Sequence, residues 1–214
     1  MVKLVSITQP VLEDLSGFSP EEVIVYIARV SNPSNQLNRE TVPRLLSYLI
    51  KHKHWSPFEF VDMTVEITTR RSIAAQILRH WSFSFQEFSQ RYSTATKLQK
   101  IELRKQADKN RQSSAELLND EQLELLVENA QLFSTEVYNK LLEAGVAREV
   151  ARDVLPLSTE TTMYMKGSVR DWIHYLELRT LEDTQKEHRD IANAIMELFK
   201  ENFPSIHKAL NQHS

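Results

Sequence analysis

The chain has 214 residues, 41% of them hydrophobic and 26% charged, which suits one globular domain with a sizeable core. Its 26 basic and 29 acidic side chains leave a formal charge of −3, which argues against a general binder of nucleic acid or of anionic membrane. It has no cysteine, so disulfides, zinc fingers, iron–sulfur clusters and thiol nucleophiles are excluded, and its three glycines (Gly17, Gly145 and Gly167) cannot assemble a G-x-G-x-x-G or Walker A loop.

Residues 2–8 alternate loosely and predict a short first strand. Ser19-Pro20-Glu21-Glu22 is a capping box with proline at the first helical position, opening a helix whose body is Val23 to Val30. Ser31-Asn32-Pro33-Ser34-Asn35 breaks it, and a second helix is expected from about Thr41 to His52, with Leu45, Leu46, Leu49 and Ile50 on its buried side. From Phe58 to Thr69 the period changes. Val61, Met63, Val65 and Ile67 alternate with Asp62, Thr64, Glu66 and Thr68, the pattern of a half-buried strand. Arg70 to His80 returns to helical composition, whereas Ser82 to Thr96 has no helical period and is rich in aromatics, Ser and Gln.

Lys97 to Asn119 is polar and is expected to be a mobile excursion. A long helix should follow from about Asp120 to Ala144, with Gly145 as its left-handed terminator. A short helix covers roughly Ala147 to Leu155 before Pro156, and Thr159 to Lys166 reads as a strand. Ser168 with Asp171 caps a helix through Arg179, and Thr184 with Glu187 is a second capping box, opening a helix to about Phe203 before Pro204. The fold class predicted is α+β: one helix-rich domain over residues 1–214, with a small, mostly antiparallel sheet packed against helices. No uncharged apolar run approaches the ~20 residues that span a bilayer. The apolar part of Met1-Val2-Lys3-Leu4-Val5 is too short for a secretory signal, so a soluble, cytoplasmic protein without membrane partners is expected.

Chemistry concentrates between Gln76 and Ser93. Gln76 and Arg79 are three apart and share a helix face, while Glu87, Ser89 and Arg91 are two apart and point one way if extended. An amide and a guanidinium beside a carboxylate, a hydroxyl and a second guanidinium can hold a phosphorylated ligand that also forms hydrogen bonds. The same alternation is what the wet face of an ordinary strand carries, so the spacing alone leaves both readings open.

A resemblance separates them. Arg79-His80-x, seven residues, then Ser89 is similar to the Arg-His-Arg, seven residues, Ser signature of the flavin-dependent thymidylate synthases. His54-x-Ser56-Pro57-Phe58-Glu59, Arg148-Glu149-x-Ala151-Arg152-x-x-Leu155-Pro156 and Arg170 with His174 and Glu177-Leu178-Arg179 resemble further blocks of that family, in family order. The resemblance implies that dTMP is made from dUMP, with the carbon from methylenetetrahydrofolate and the hydride from NADPH by way of bound FAD, no cysteine nucleophile and no metal. It implies a homotetramer with shared active sites. By the same resemblance Gln76, Arg79, Glu87, Ser89, Gln90, Arg91, Arg152 and Arg179 fall at dUMP positions, and Ser31, Ser56, Arg79, His80, Trp81, Glu87, Ser168, Arg170 and His174 at FAD positions. Arg179 is implied to meet the pyrimidine ring, with His54 and His80 near the isoalloxazine as the remaining catalytic positions.

Four positions depart from the family pattern. Trp81 stands for the second motif arginine, Gln90 for a frequent glycine, His174 for an amide and Ser168 for an asparagine. These departures touch flavin affinity more than reaction class. Arg148 and Arg152, four apart on one helix, repel unless a phosphate or a neighbouring Glu149 or Asp153 intervenes, and both alternatives stand. His52, His188, His207 and His213 read as surface or structural. Two competing functions are a flavoprotein that only oxidises NADPH and a single-stranded nucleic-acid module built on residues 81–92; the negative net charge counts against the second.

Overall fold

A computed structural model describes residues 1–94 and 97–213. Ala95 and Thr96, at the end of the stretch read as aperiodic, and Ser214, the last residue of the single-domain span, lie outside the described residues.

The main sheet forms where the sequence alternates, with one further strand from the stretch read only as lacking a helical period. Strands β1 (Val2–Ile7), β2 (Asp62–Arg70), β3 (Ser84–Glu87) and β6 (Glu160–Ser168) are ordered β1-β2-β6-β3, and every pairing is antiparallel. Register places Met63, Val65 and Ile67 opposite Gly167, Met165 and Met163, and the five large side chains among them are fully buried. The other face is wet: Glu66 takes Lys3 Nζ at 2.8 Å and the Tyr164 hydroxyl at 3.1 Å. β2 begins later than predicted. Pro57 opens a 3-10 turn over Ser56–Phe60 that plunges Phe58 into the core.

The helices are α1 (Pro20–Ala28), α2 (Val42–Lys51), α3 (Arg71–Ile77), α4 (Glu121–Glu143), α5 (Arg148–Ala151), α6 (Val169–Arg179), α7 (Lys186–Asn202) and α8 (Pro204–His213). The capping boxes expected at Ser19/Glu22 and Ser168/Asp171 both form, Asp120 caps α4, and Gly145 follows it at φ 83°. Helix α2 closes in a Schellman motif: His54 N–H reaches Leu49 O at 2.8 Å and Lys53 N–H reaches Ile50 O at 3.0 Å. The left-handed residue there is Lys53, at φ 56°, where glycine would be unstrained. One face of the sheet, α2, α6, α7 and α8 enclose a core centred on Trp172, Tyr175, Phe58, Phe199 and Phe203. The Trp172 indole donates to Met63 O at 3.0 Å, tying α6 to β2.

Three expectations are corrected. The Thr184/Glu187 capping box does not form: Gln185 is the N-cap of α7 without a side-chain bond, and Thr184 Oγ1 donates instead to Leu178 O at 3.3 Å. The Glu187 carboxylate is taken by Arg70 and Arg104, because buried guanidiniums make stronger bonds than a backbone N–H. The polar excursion 97–119 contains a hairpin, β4 (Arg104–Gln106) with β5 (Ser114–Leu117), anchored to α7 by that same Arg104. Its polarity concealed pairing that rests on hydrogen bonds. Lastly, Pro204 starts a helix as well as ending one, since proline suits the first helical turn. Buried Glu21 accepts from Ile206 N–H at 2.7 Å, an acid at the positive end of α8.

Helix α4 differs from the rest. Of its 23 residues only Tyr138 is buried, and the stripe Leu125, Leu126, Leu132 and Phe133 is open to solvent, Leu126 at 63% and Phe133 at 67%. Among the described residues no helix is long and apolar enough to cross a membrane.

Candidate active site

Helices α3 and α6 deliver the two side chains at the centre of the site. His80 follows α3 through a turn closed by His80 N–H to Ile77 O at 3.1 Å. Its ring stands edge-on to Tyr175, centroids 4.9 Å apart at 73°. Its Nε2 accepts a hydrogen bond from Arg179 Nε at 2.9 Å, and Arg179 is the last residue of α6. Only a lone pair can accept from a guanidinium, so His80 is neutral with its proton on Nδ1. Burial, then the charges of Arg179, His174 and Arg79, push its pKa down to about 4. The Arg179 guanidinium is thus aimed by an uncharged partner, and among the described residues no carboxylate lies within 4 Å of it.

His80 opens onto a cleft of about 980 Å³, at the upper end of small-ligand pockets. Lys53 and Trp55 form one lip, Arg79 and Trp81 another, and Ser168, Arg170 and His174 project from the start of α6. Arg170 pairs with Glu59, and Lys166 pairs with Asp62 at 2.6 Å. Arg79 and Lys53 have no carboxylate partner among the described residues, which leaves two cations for a ligand anion. Trp81, 92% exposed, offers an indole face in place of the guanidinium expected there. The floor requires Gly167: a Cβ on it would lie 2.5 Å from Cδ1 and Cε1 of Phe83. Unpaired cations, the open Trp81 indole and neutral hydrogen-bonding groups fit a diphosphate-bearing ring ligand such as FAD.

A separate groove of about 440 Å³ gathers Ser89, Arg91, Tyr92, Ala147, Arg148 and Glu149. Arg91 donates to Glu149 Oε2 at 3.1 Å, and Arg152 Nε donates to the Glu149 backbone carbonyl at 3.2 Å. The Glu149 carboxylate therefore serves Arg91, and no described carboxylate neutralises Arg148 or Arg152. Gln90 beside them is buried, and its Nε2 has no partner.

The remaining expected site residues lie apart from both openings within one chain. Gln76 donates to Gln185 Oε1 at 2.6 Å. Glu87, at the end of β3, is held by Arg71 Nη1 at 3.2 Å and Thr161 Oγ1 at 2.9 Å. His54 turns outward onto Tyr48 and His52, with centroids 6.0 and 6.1 Å away, although its neighbours Lys53 and Trp55 face the cleft. Ser56 is exposed at the head of its 3-10 turn, and Ser31 lines another groove with Arg29, Arg44 and Tyr48. Sequence reasoning missed Lys53, Trp55 and Lys166. The first two lie next to the quoted His54 block, a signal that was available; Lys166 becomes visible only through its register with β2. His188, read as surface or structural, is structural: it is fully buried, its Nε2 bonds the Tyr175 hydroxyl at 3.0 Å, and its pKa is pushed down to about 4 by burial and by Arg179 and His80.

Comparison with known proteins places this geometry among relatives. The family model described as "Thymidylate synthase complementing protein" matches residues 15–205. The chain is 54% identical over 213 residues to a "Probable flavin-dependent thymidylate synthase" of Paramecium bursaria Chlorella virus 1, covering 98% of each. It is 49% identical over 214 residues to a "Flavin-dependent thymidylate synthase" of Synechocystis sp., again covering 98% of each. Among solved structures it is similar to the UMP/dUMP methylase PolB from Streptomyces cacaoi bound with 5-Br dUMP, with a TM-score of 0.83, 26% identity, and coverage of 99% of this chain and 94% of that one.

Proposed function

The chain belongs to the family of the flavin-dependent thymidylate synthases, and from that premise we propose that it makes dTMP by reductive methylation of dUMP. Methylenetetrahydrofolate is the carbon donor, and NADPH is the hydride source through bound FAD. The observation that carries the reading is Arg179 held at 2.9 Å by neutral His80, a residue that itself lines a cleft with unpaired cations. The absence of cysteine agrees, because this route needs no sulfur nucleophile.

FAD supplies the hydride-relay chemistry when bound. Arg79, Arg170, Ser168, His174, His80 and the Trp81 indole would hold it in the cleft, with Ser31, Ser56 and Glu87 contributing from outside it. Arg91, Arg152, Ser89 and Gln90 would bind the dUMP phosphate side, and Gln76 and Arg79 its remainder. Arg179 would stabilise the negative charge that grows on the uracil carbonyl edge as C5 attacks. His80, uncharged, keeps that guanidinium aimed without neutralising it. Ser89 is a binding group, since among the described residues no base hydrogen-bonds its hydroxyl to make it a nucleophile.

The dUMP and FAD positions are spread over separate openings of one chain, and the α4 stripe leaves a broad apolar face uncovered. Both support a homotetramer whose active sites are completed by neighbouring subunits. The nucleotide, folate and NADPH substrates fit a cytoplasmic enzyme.

The test is release of tritium from C5-labelled dUMP, dependent on the folate. Arg179→Ala should lower that rate about 10²-fold or more while leaving the protein yellow. A near wild-type rate would refute the role given to Arg179, and a colourless wild-type protein that releases no tritium would refute the whole reading.

A further inference from the structure

The substrate reading above assigns Gln76 to the nucleotide without saying which of its amide atoms meets the ligand. Glu187, used by nothing in that reading, answers the question. Its Oε1 accepts from Arg104 Nη2 at 2.6 Å and forms an ion pair with Arg70 Nη2 at 3.0 Å, and its Oε2 accepts from Gln185 Nε2 at 2.9 Å. The guanidinium of Arg104 is itself pinned by Glu102 Oε2 at 2.6 Å and Ser114 Oγ at 2.9 Å. Burial works to raise the Glu187 pKa, but the bonds from Arg104, its own backbone N–H and Gln185, with the charge of Arg70, bring it below the usual carboxylate range. Glu187 is ionised at neutral pH, and an ionised carboxylate only accepts.

That fixes the direction of every bond downstream. Gln185 must turn its NH2 to Glu187, so its carbonyl oxygen faces Gln76. Gln76 must then turn its own NH2 to that oxygen, at 2.6 Å, so the end turned away is Oε1. Among the described residues nothing donates to Gln76 Oε1. We propose that Glu187 is a positioning residue that makes Gln76 present an acceptor, so that this position takes a hydrogen-bond donor of the nucleotide (a ring N–H or a sugar hydroxyl) and not its phosphate. The proposal rests on dUMP being the substrate.

The experiment is calorimetric binding to the intact holoenzyme. Four ligands are compared: dUMP, its 3-methyl analogue without the ring N–H, its 2′,3′-dideoxy analogue without the sugar hydroxyl, and deoxyuridine without the phosphate. Wild type should bind one of the two donor-deficient analogues about 10–100-fold more weakly than dUMP, the penalty for leaving an acceptor unpaired once the ligand has covered it; which one identifies the donor. Glu187→Gln, whose amide can donate or accept, should shrink that ratio to a few-fold. Gln185→Leu cuts the chain without touching the ion pairs and should do the same if Glu187→Gln fails to fold. The penalty for removing the phosphate should be equal in all three proteins. Wild type binding both analogues as well as dUMP, or a folded variant keeping the full ratio, overturns the proposal. Failure of wild type to bind dUMP at all overturns the substrate reading, and this inference with it.

Discussion

The sheet with α6 and α7 behind it and the arm formed by α4 solve the burial problem in opposite ways. On the sheet side every large apolar side chain of β2 and β6 facing inward finds a partner from the same chain, with Trp172, Tyr175 and Phe199 filling the space behind. The arm spends 23 residues on a helix that buries one side chain and leaves leucines and a phenylalanine seven residues apart in water. The first region is complete as a monomer; the second has the composition of an interface. The candidate site has one part on the closed core and one part outside it. Arg179 and His80 grow out of the closed core, whereas Ser89, Arg91 and Arg148 sit in the groove beside α5.

Charging the arm tests that contrast most severely. Leu126→Glu with Phe133→Glu should abolish dTMP formation and reduce the proposed homotetramer to smaller species in light scattering. Secondary structure by circular dichroism should persist, because exposed substitutions shift a chain's own stability within about ±0.5 kcal/mol. Collapse of the fold instead would mean that the arm is part of the core.

The core has its own signature in acid. His188 is fully buried and neutral, with its pKa depressed to about 4 beneath an ordinary 6.5, and His80 titrates in the same window. Between those values the unfolded chain binds protons that the folded chain refuses, so stability falls as pH drops from about 6.5 towards 4. For His188 the loss is about 3 kcal/mol, read as a falling urea midpoint. His188→Gln should flatten that dependence; an unchanged slope would show that other groups cause it.

The smallest effect is expected at the lip of the cleft. Lys53→Gly removes a left-handed side-chain residue from the end of α2 and should raise stability by about 1 kcal/mol. A lower melting temperature would show that the Lys53 side chain contributes more to the fold than its backbone costs.

Much of this was legible from residue order. Alternation at Val61–Ile67 marked the buried strand, Ser19/Glu22 and Ser168/Asp171 marked helix starts, and the four motif blocks marked the reaction class. The failures share a cause. Thr184/Glu187 has the spacing of a capping box, yet Arg70 and Arg104, distant in sequence, claim the carboxylate. The hairpin at 104–117 has no apolar period, and α8 starts at a residue that also ends α7.

Local pattern by itself determined strands β1, β2 and β6, most helix ends, the family and the cysteine-free chemistry, because caps, periodicity and motif spacing are short-range properties of the chain. Tertiary structure alone decided that His80 accepts from Arg179, that Gln76 is oriented from Glu187, and that His54 and Ser31 face away from the cleft lined by their expected companions. The direction of a hydrogen bond and the neutrality of a buried imidazole depend on which charges and how much water surround them, and those neighbours arrive from positions 99 and 109 residues away.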